Sequence, residues 1–378
     1  MESIVKPRQC RARQAAGARS RVNDTGGSVQ AMRHVVRPPG LHRLSTRPPG
    51  WADSQGVPVV DEAVLARLGA LRIPPGWTHV WASADATSPI QATGIDARGR
   101  TQYRYSAAAL ERSRANKFSH LLEFASSLPT LRHQVENDLT RASPDEPPEG
   151  PVVAAAAVRL LDRGLFRVGN ERYARDNDTY GLTTLRRAHL TLERDTAVFD
   201  FIGKEHISHH KVVNDSTVAP VLRALLAQDC APTQRLFATS APPSWRRVDS
   251  ATVNSYIHTH GAVSASAKAF RTWGATVAAA AVAAGAVFST TAHSRQERLK
   301  PYDAAAQLLG NTPTVARAAY VHPDAVSVGG DEEVVAALET AIARQGSPLV
   351  EEVMHDPGLQ AAVHTALVRS ADGSSDWS

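Results

Sequence analysis

The sequence predicts an α+β protein, with a small β-containing N-terminal domain followed by a mostly α-helical domain that holds a short three-stranded antiparallel sheet. Two observations support this. Residues 41–112 contain short strand-like runs and one amphipathic helix, whereas from about residue 113 apolar residues recur at helical spacing. Strand-like segments then interrupt the helical part, at residues 181–185, 189–192, 198–202 and 206–213.

In the smaller domain, the apolar spacing of residues 61–71 predicts a helix, which Pro74-Pro75-Gly76 ends. Strands are predicted at 77–81, 90–93 and 101–105, the last two as a hairpin. In the larger domain, helices are predicted at 118–131, 152–166, 219–227, 252–260, 267–288, 303–309, 315–319 and 331–344.

We divide the chain into four parts by composition and periodicity. Residues 1–37 form a basic disordered tail, 38–112 an N-terminal domain, 113–330 the mostly helical domain and 331–378 an acidic C-terminal extension. We place a hinge near residues 106–117, where the strand pattern gives way to the helical one.

Composition excludes several classes of protein. The chain has 378 residues with 43% hydrophobic residues, which is ordinary for a globular protein. Its two cysteines are far apart, which excludes a disulfide framework and a cysteine-based zinc site. No run of about 18 apolar residues predicts a membrane span, and the N-terminus lacks the apolar core of a secretory signal. We therefore expect a cytoplasmic protein that makes no use of a membrane.

The net charge of +5 conceals an uneven distribution. Residues 1–37 contain eight basic and two acidic side chains, whereas residues 324–378 contain two basic and ten acidic ones. Residues 38–323, called here the basic body, thus lie between a basic head (residues 1–37) and an acidic tail (residues 324–378). This distribution favours an acidic partner for the basic body. The acidic tail either competes with that partner for the basic surface or packs on the helical domain.

Four separated segments contain polar residues that together suggest chemistry. Arg167 follows a buried helix, Lys204 lies in a Gly-Lys turn, and Lys268 and Arg271 share one helix face. The fourth segment, residues 309–320, contains Asn311 and ends a short helix at Tyr320. Each segment alone also has a structural explanation, such as a capping arginine, an exposed turn lysine or a core tyrosine.

Taken in order, these segments resemble the type IB DNA topoisomerases, the group that contains the poxvirus and bacterial enzymes. The shared pattern is Arg, a Gly-Lys turn, Lys-x-x-Arg, then Gly-Asn-Thr-Pro-x-x-x-Arg-x-x-Tyr. Residues 73–77 and 91–105 independently resemble that family's bacterial N-terminal domain. The resemblance covers roughly residues 38–325 and leaves out the basic head and the acidic tail.

The resemblance implies a role for each matched residue. Tyr320 is the nucleophile that forms a 3′-phosphotyrosyl link, and Lys204 is the general acid for the leaving 5′-oxygen. Arg167 and Arg271 stabilise the charge on the phosphate, a task that suits the planar guanidinium. The poxvirus enzymes have a histidine where this chain has Asn311, so we interpret Asn311 as a neutral hydrogen-bond donor to a phosphate oxygen.

The implied activity is relaxation of supercoiled DNA without ATP, cofactor or obligatory metal. The expected partner is double-stranded DNA rather than a small molecule, bound by a monomer in the cytoplasm at the nucleoid. Candidate DNA-binding residues, which contact mainly phosphates, are Arg98, Arg100, Arg104, Arg112, Arg114, Lys117, Arg186, Arg187 and Lys268. The alternative function is that of a tyrosine recombinase or integrase, a class that usually has histidine where this chain has Lys268.

Overall fold

The computed structural model describes residues 40–44, 50–143, 146–228, 231–239, 246–289, 296–297 and 300–373. The segment 1–37, expected to be a disordered tail, lies outside the described residues. The chain divides into two compact units between Lys117 and Phe118. Among the helices of the described ranges, none is long and apolar enough to cross a membrane.

The smaller unit is built on an antiparallel sheet. Its elements are β1 (Gly40–Arg43), β2 (Trp51–Ala52), α1 (Glu62–Ala70), β3 (Thr78–Ser83), β4 (Ile90–Ile95) and β5 (Thr101–Tyr105). The strand order is β2-β1-β3-β4-β5. Helix α1 begins where the Asp61 carboxylate accepts hydrogen bonds from two backbone N–H groups, and it buries Leu68 against the sheet. The helix and the three strands predicted here are confirmed.

The larger unit is mostly helical, as predicted. In chain order its elements are α2 (Ala107–Leu139), α3 (Gly150–Gly164), α4 (Glu171–Asn177), β6 (Leu190–Glu193), β7 (Thr196–Ile202), β8 (Ser208–Asn214), α5 (Ala219–Ala227), β9 (Ala238–Thr239), β10 (Arg246–Arg247), α6 (Ser250–His260), α7 (Ala267–Ala284), β11 (Phe288–Ser289), β12 (Gln296–Glu297), α8 (Pro301–Leu309), α9 (Pro313–Ala319), α10 (Ala325–Val328), α11 (Glu332–Gln345), α12 (Val350–Val353) and α13 (Pro357–Gly373). Helix α2 starts in the smaller unit, so the segment predicted as a hinge is helical from Ala107.

The three-stranded sheet has the order β6-β7-β8 with antiparallel neighbours. The strand predicted at residues 181–185 is wrong, because Leu182–Thr184 forms a single 3-10 turn. The hydroxyl of Thr184 accepts a hydrogen bond from the Gly181 N–H and donates one to the Gly181 carbonyl. The hydroxyl of Thr183 donates to the Val168 carbonyl. These side-chain bonds satisfy groups that a strand would have paired with a neighbour.

Alanine-rich helices α3 and α7 form the centre of the unit, where Ala154–Ala157 and Ala275–Ala281 are buried. Small side chains let these two helices lie close together. Helix α7 ends at Ala284, four residues before the predicted end, because Gly285 adopts a φ of 122° that breaks the helical path.

The described part of the acidic extension, residues 331–373, is folded into this unit. The Gln360 side chain accepts hydrogen bonds from Arg132 of α2 (3.0 Å) and from the indole of Trp273 of α7 (3.2 Å). Arg369 pairs with Asp331 at 3.1 Å and Glu333 at 3.0 Å, which neutralises part of the acidic charge locally. Of the two roles considered for the tail, the structure shows packing on the helical domain.

Candidate active site

Arg167 is placed by the end of α3. The cap residue Leu165 adopts a left-handed conformation and donates its N–H to Leu161, which turns the chain out of the helix. Phe166 is buried, and the Arg167 carbonyl accepts the N–H of Leu182 at 2.8 Å. The arginine therefore lies on a segment that is anchored on both sides and partly exposed.

Two glycines allow this anchoring. A Cβ added to Gly181 would lie 2.6 Å from the backbone of Gly169, and Gly169 itself has a φ of 101°. Since an L side chain fits neither position, the backbone after Arg167 can approach the 182–184 turn only through glycine.

Lys268 and Arg271 lie in the first two turns of α7. Lys268 is exposed, whereas Arg271 is 3% exposed and donates hydrogen bonds to the carbonyls of Leu165 and Leu309. Both cations nevertheless reach the same phenol ring. The Lys268 Nζ lies 5.5 Å and the Arg271 Cζ 5.4 Å from the centre of the Tyr320 ring.

The loop between α8 and α9 holds Asn311. Gly310 ends α8 with a φ of 60°, and Thr312 caps α9 by accepting the N–H of Val315 at 3.3 Å. Pro313 occupies the first turn of α9, as predicted, and Tyr320 ends that helix. Eight residues of capped loop and helix, 312–319, thus separate Asn311 from Tyr320 along the chain.

Arg167 and Asn311 meet directly. The Arg167 Nη2 donates to the Asn311 Oδ1 at 2.7 Å, which orients the amide. Within the described part of the chain, the buried Asn311 Nδ2 has no hydrogen-bond partner. An amide N–H₂ in this state is an unused donor, which is the property we expected of Asn311 from the sequence.

The charges around Tyr320 favour its ionised form. Burial raises the pKa of the phenol, but the nearby cations Arg271, Lys268 and Arg167 outweigh burial, so the pKa lies below its usual value. A phenolate is the form of tyrosine that attacks an electrophile. The cluster of Arg167, Lys268, Arg271, Asn311 and Tyr320, called here the phenol cluster, is therefore suited to nucleophilic chemistry on an anionic substrate.

Lys204 stands apart from the phenol cluster. It lies on the turn between β7 and β8, with a side chain that is 69% exposed and 3.6 Å from the Glu205 carboxylate. Glu205 and His206 in this turn have φ values of 67° and 58°. The turn nevertheless begins at Gly203, which lines a cavity of about 10 Å³ together with Arg167 and Arg271.

His209 joins the Lys204 turn to the Asn311 loop. The His209 ring lies against both loops. A Cβ added to Gly203 would lie 2.4 Å from this ring, and a Cβ added to Gly310 would lie 2.7 Å from it. The ring also stacks on Phe201, at 5.1 Å between centroids. Burial, with Lys211, Arg167 and Arg271 nearby, lowers the pKa of His209 to about 4, so the ring is neutral at physiological pH. The sequence analysis did not single out this histidine.

The candidate DNA-binding residues differ in their surroundings. Arg98 is exposed, Arg100 pairs with Asp96 at 2.8 Å, and Arg104 donates to the Arg72 carbonyl. Arg112 and Arg114 are exposed, and Lys117 is partly buried. Arg186 lines a pocket of about 580 Å³ with Arg235 and Arg247, two arginines that the sequence analysis missed although Arg246-Arg247 is a visible basic pair.

The prediction that Arg187 binds DNA is wrong. It is 2% exposed and donates to the carbonyls of Leu225, Leu226 and Gln228 at the end of α5. A guanidinium used in this way caps a helix and is not available to a DNA phosphate. The sequence does not distinguish it from its neighbour Arg186.

Two family models and several viral proteins match this chain. A family model for the catalytic core of eukaryotic DNA topoisomerase I matches residues 106–337, and a model for the N-terminal domain of bacterial DNA topoisomerase IB matches residues 50–96. DNA topoisomerase 1B of Acanthamoeba polyphaga mimivirus is 30% identical over 213 residues, which are 56% of this chain and 62% of that protein. DNA topoisomerase I of Monkeypox virus and DNA topoisomerase 1B of Vaccinia virus (strain Western Reserve) are each 27% identical over 147 residues, or 38% of this chain and 45% of theirs.

The fold and the phenol cluster define a two-domain protein with a tyrosine set among cations at the end of a short helix. The catalytic-core model covers more than half of the chain, and the chain therefore belongs to the type IB DNA topoisomerase family. This confirms the family resemblance and the fold class predicted from the sequence. The chain matches less than two thirds of the length of each of these viral relatives.

Proposed function

We propose that the protein relaxes supercoiled DNA by cutting and resealing one strand, without ATP or an obligatory metal. One observation supports this most directly. A single chain places the Tyr320 phenol beside Lys268 and Arg271, next to an Arg167–Asn311 pair with an unused amide donor.

The proposed reaction is a transfer of one phosphodiester. The Tyr320 oxygen attacks the phosphorus, the bond to the 5′-oxygen breaks, and the 3′-phosphate remains attached to the tyrosine. The phenol proton passes to solvent, and the departing 5′-oxygen takes a proton from Lys204 to become a hydroxyl. Because the new link conserves the phosphodiester, attack by the 5′-hydroxyl reverses the reaction without an external energy source.

The phenol cluster supplies what this reaction requires electrostatically. Charge increases on the non-bridging phosphate oxygens as the tyrosine attacks, and preorganised donors there lower the barrier. Arg167 and Arg271 provide fixed positive charge, and Asn311 provides a neutral N–H₂ donor. The cations also keep the tyrosine closer to its reactive phenolate form.

Lys204 is the proposed general acid. Its exposed side chain on a turn can extend toward a bound strand, and it carries the proton that the 5′-oxygen needs. Removal of a general acid slows only those reactions in which the leaving group must be protonated.

We expect Lys204→Ala to slow cleavage of ordinary duplex DNA by about 10²- to 10⁴-fold. Cleavage of a duplex with sulfur in place of the bridging 5′-oxygen should be almost unaffected, because a thiolate leaves without a proton. Single-turnover rates on the two substrates measure this, with Lys300→Ala as the control for loss of an exposed lysine. Equal slowing on both substrates would show that Lys204 is not the acid.

The proposal also includes the binding partner, the oligomeric state and the location of the protein. Double-stranded DNA is the substrate, and its phosphates are held by basic residues such as the exposed Arg98 and the half-buried Arg186. We propose a monomer because one chain contains all five proposed catalytic residues. Its place of action is the chromosomal DNA in the cytoplasm.

The deciding experiment mixes the protein with supercoiled plasmid in EDTA without ATP and follows the distribution of topoisomers. We expect a progressive loss of supercoils and, after a detergent quench, protein joined covalently to the 3′-phosphate of a nick. An unchanged topoisomer distribution would reject the proposal. Exchange of strands between two specific sites, with supercoiling retained, would favour the recombinase alternative.

A further inference from the structure

Two basic side chains connect the end of α3 to the end of α8 at successive positions. Lys211 donates to the carbonyls of Gly164 (2.7 Å) and Leu308 (3.4 Å). Arg271 donates to the carbonyls of the next residue on each helix, Leu165 and Leu309. We call these contacts the α3–α8 bridges.

A third contact lies just beyond these two bridges, between two of the proposed catalytic residues. Two residues beyond Leu165 lies Arg167, two residues beyond Leu309 lies Asn311, and these two side chains are bonded at 2.7 Å. The separation of Arg167 and Asn311 therefore depends on how the two helix ends are held. The last carbonyls of a helix have no partner within it, so a basic side chain can bind them strongly.

The surroundings of Lys211 hold its side chain in place. It projects from β8 at a position paired with Phe199, and its Nζ lies 5.4 Å from the centre of the Phe166 ring. Phe166 itself packs edge-on against Phe199, at 5.1 Å between centroids. The side chain thus runs beside the residue that precedes Arg167, without belonging to the phenol cluster.

We propose that Lys211 is a positioning residue that sets the geometry of the Arg167–Asn311 pair by joining the ends of α3 and α8. This inference rests on the proposed function, because its effect is read as DNA cleavage.

The ionisation of Lys211 is compatible with this role. Burial, with Arg271 and Arg167 nearby, lowers the pKa of Lys211 to about 7. A neutral amine still has two N–H groups, so both carbonyls can remain bonded when the proton is lost.

The test compares single-turnover cleavage of one duplex by the unaltered protein, Lys211→Met and Lys211→Arg. Methionine keeps the volume but donates nothing, and we expect cleavage to slow by about 10- to 100-fold with DNA affinity unchanged. Arginine should keep the rate within about threefold, because it retains donors and the groove of about 420 Å³ beside Lys211 has room for its larger head.

A double substitution separates positioning from general damage. In an Asn311→Ala background, Lys211→Met should slow cleavage by less than about threefold, because the pair that it positions is already broken. Arg187→Met is the matched control, since it removes a buried cation from the end of α5 and should lower thermal stability without slowing cleavage by the folded protein.

Three results would overturn the inference. These are undiminished cleavage by Lys211→Met, an equal loss in both Asn311 backgrounds, and slowing by Arg187→Met as large as that by Lys211→Met. If Lys211→Met does not fold, Lys211→Arg decides the question. A Lys211→Arg variant that folds but loses cleavage would also overturn the inference. Absence of cleavage by the unaltered protein would instead reject the proposed function, and this inference with it.

Discussion

Tyr320→Phe is expected to abolish both plasmid relaxation and the detergent-trapped covalent adduct. The substitution removes only the hydroxyl, so the ring remains 5.4 Å from the Arg271 guanidinium and 5.5 Å from the Lys268 ammonium. DNA affinity should therefore be retained while the attacking oxygen is lost. Relaxation assays and gel-shift titrations of the same preparation measure the two properties.

The control for this prediction is Tyr302→Phe. Tyr302 lies in α8, and its ring faces Arg317 at 5.4 Å, so the control removes a hydroxyl from a comparable aromatic contact in the same unit. We expect this variant to relax DNA at the unaltered rate. Relaxation by Tyr320→Phe would mean that another group is the nucleophile.

Arg271→Ala is expected to reduce cleavage by about 10²- to 10³-fold, as for the loss of one preorganised donor in other enzymes. Stability should fall as well, because Arg271 is buried and bonds the carbonyls of Leu165 and Leu309. An unsatisfied buried polar group costs about 1–3 kcal/mol. Single-turnover cleavage and thermal melting measure the two effects.

Arg167→Ala is the matched variant, because Arg167 donates to a side chain, that of Asn311, rather than to the helix ends. We expect a similar fall in cleavage, of about 10²- to 10³-fold, with a much smaller change in melting temperature. If Arg271→Ala melts like the unaltered protein, the proposed link between its charge and the helix ends is wrong. If Arg167→Ala cleaves normally, Arg167 is not part of the phosphate site.

Much of the fold could be predicted because its signals are local. The strand 101–105 and the helices 219–227 and 303–309 follow from alternation and apolar spacing, which reflect one buried face. Errors occurred where side chains or glycine changed the backbone path. The hydroxyls of Thr183 and Thr184 replaced a strand by a turn, and Gly285 ended α7 early.

The candidate site residues could be identified from the sequence for a different reason. Their order and spacing match a family pattern, so Arg167, Arg271, Asn311 and Tyr320 could be named before their distances were known. Lys211, His209 and the capping role of Arg187 could not, because each acts through backbone or glycine contacts that have no sequence pattern of their own.

The sequence by itself determined the fold class, the approximate places of the principal helices and strands and the order of the residues that match the family. The tertiary structure decided which of the many basic residues serve which purpose. Arg186 lines a pocket whereas Arg187 caps a helix, and Lys204 is exposed whereas Lys211 is held between two helix ends. Basic residues are alike in the sequence, but burial and the carbonyls within reach decide whether each side chain can bind a phosphate or instead holds the protein together.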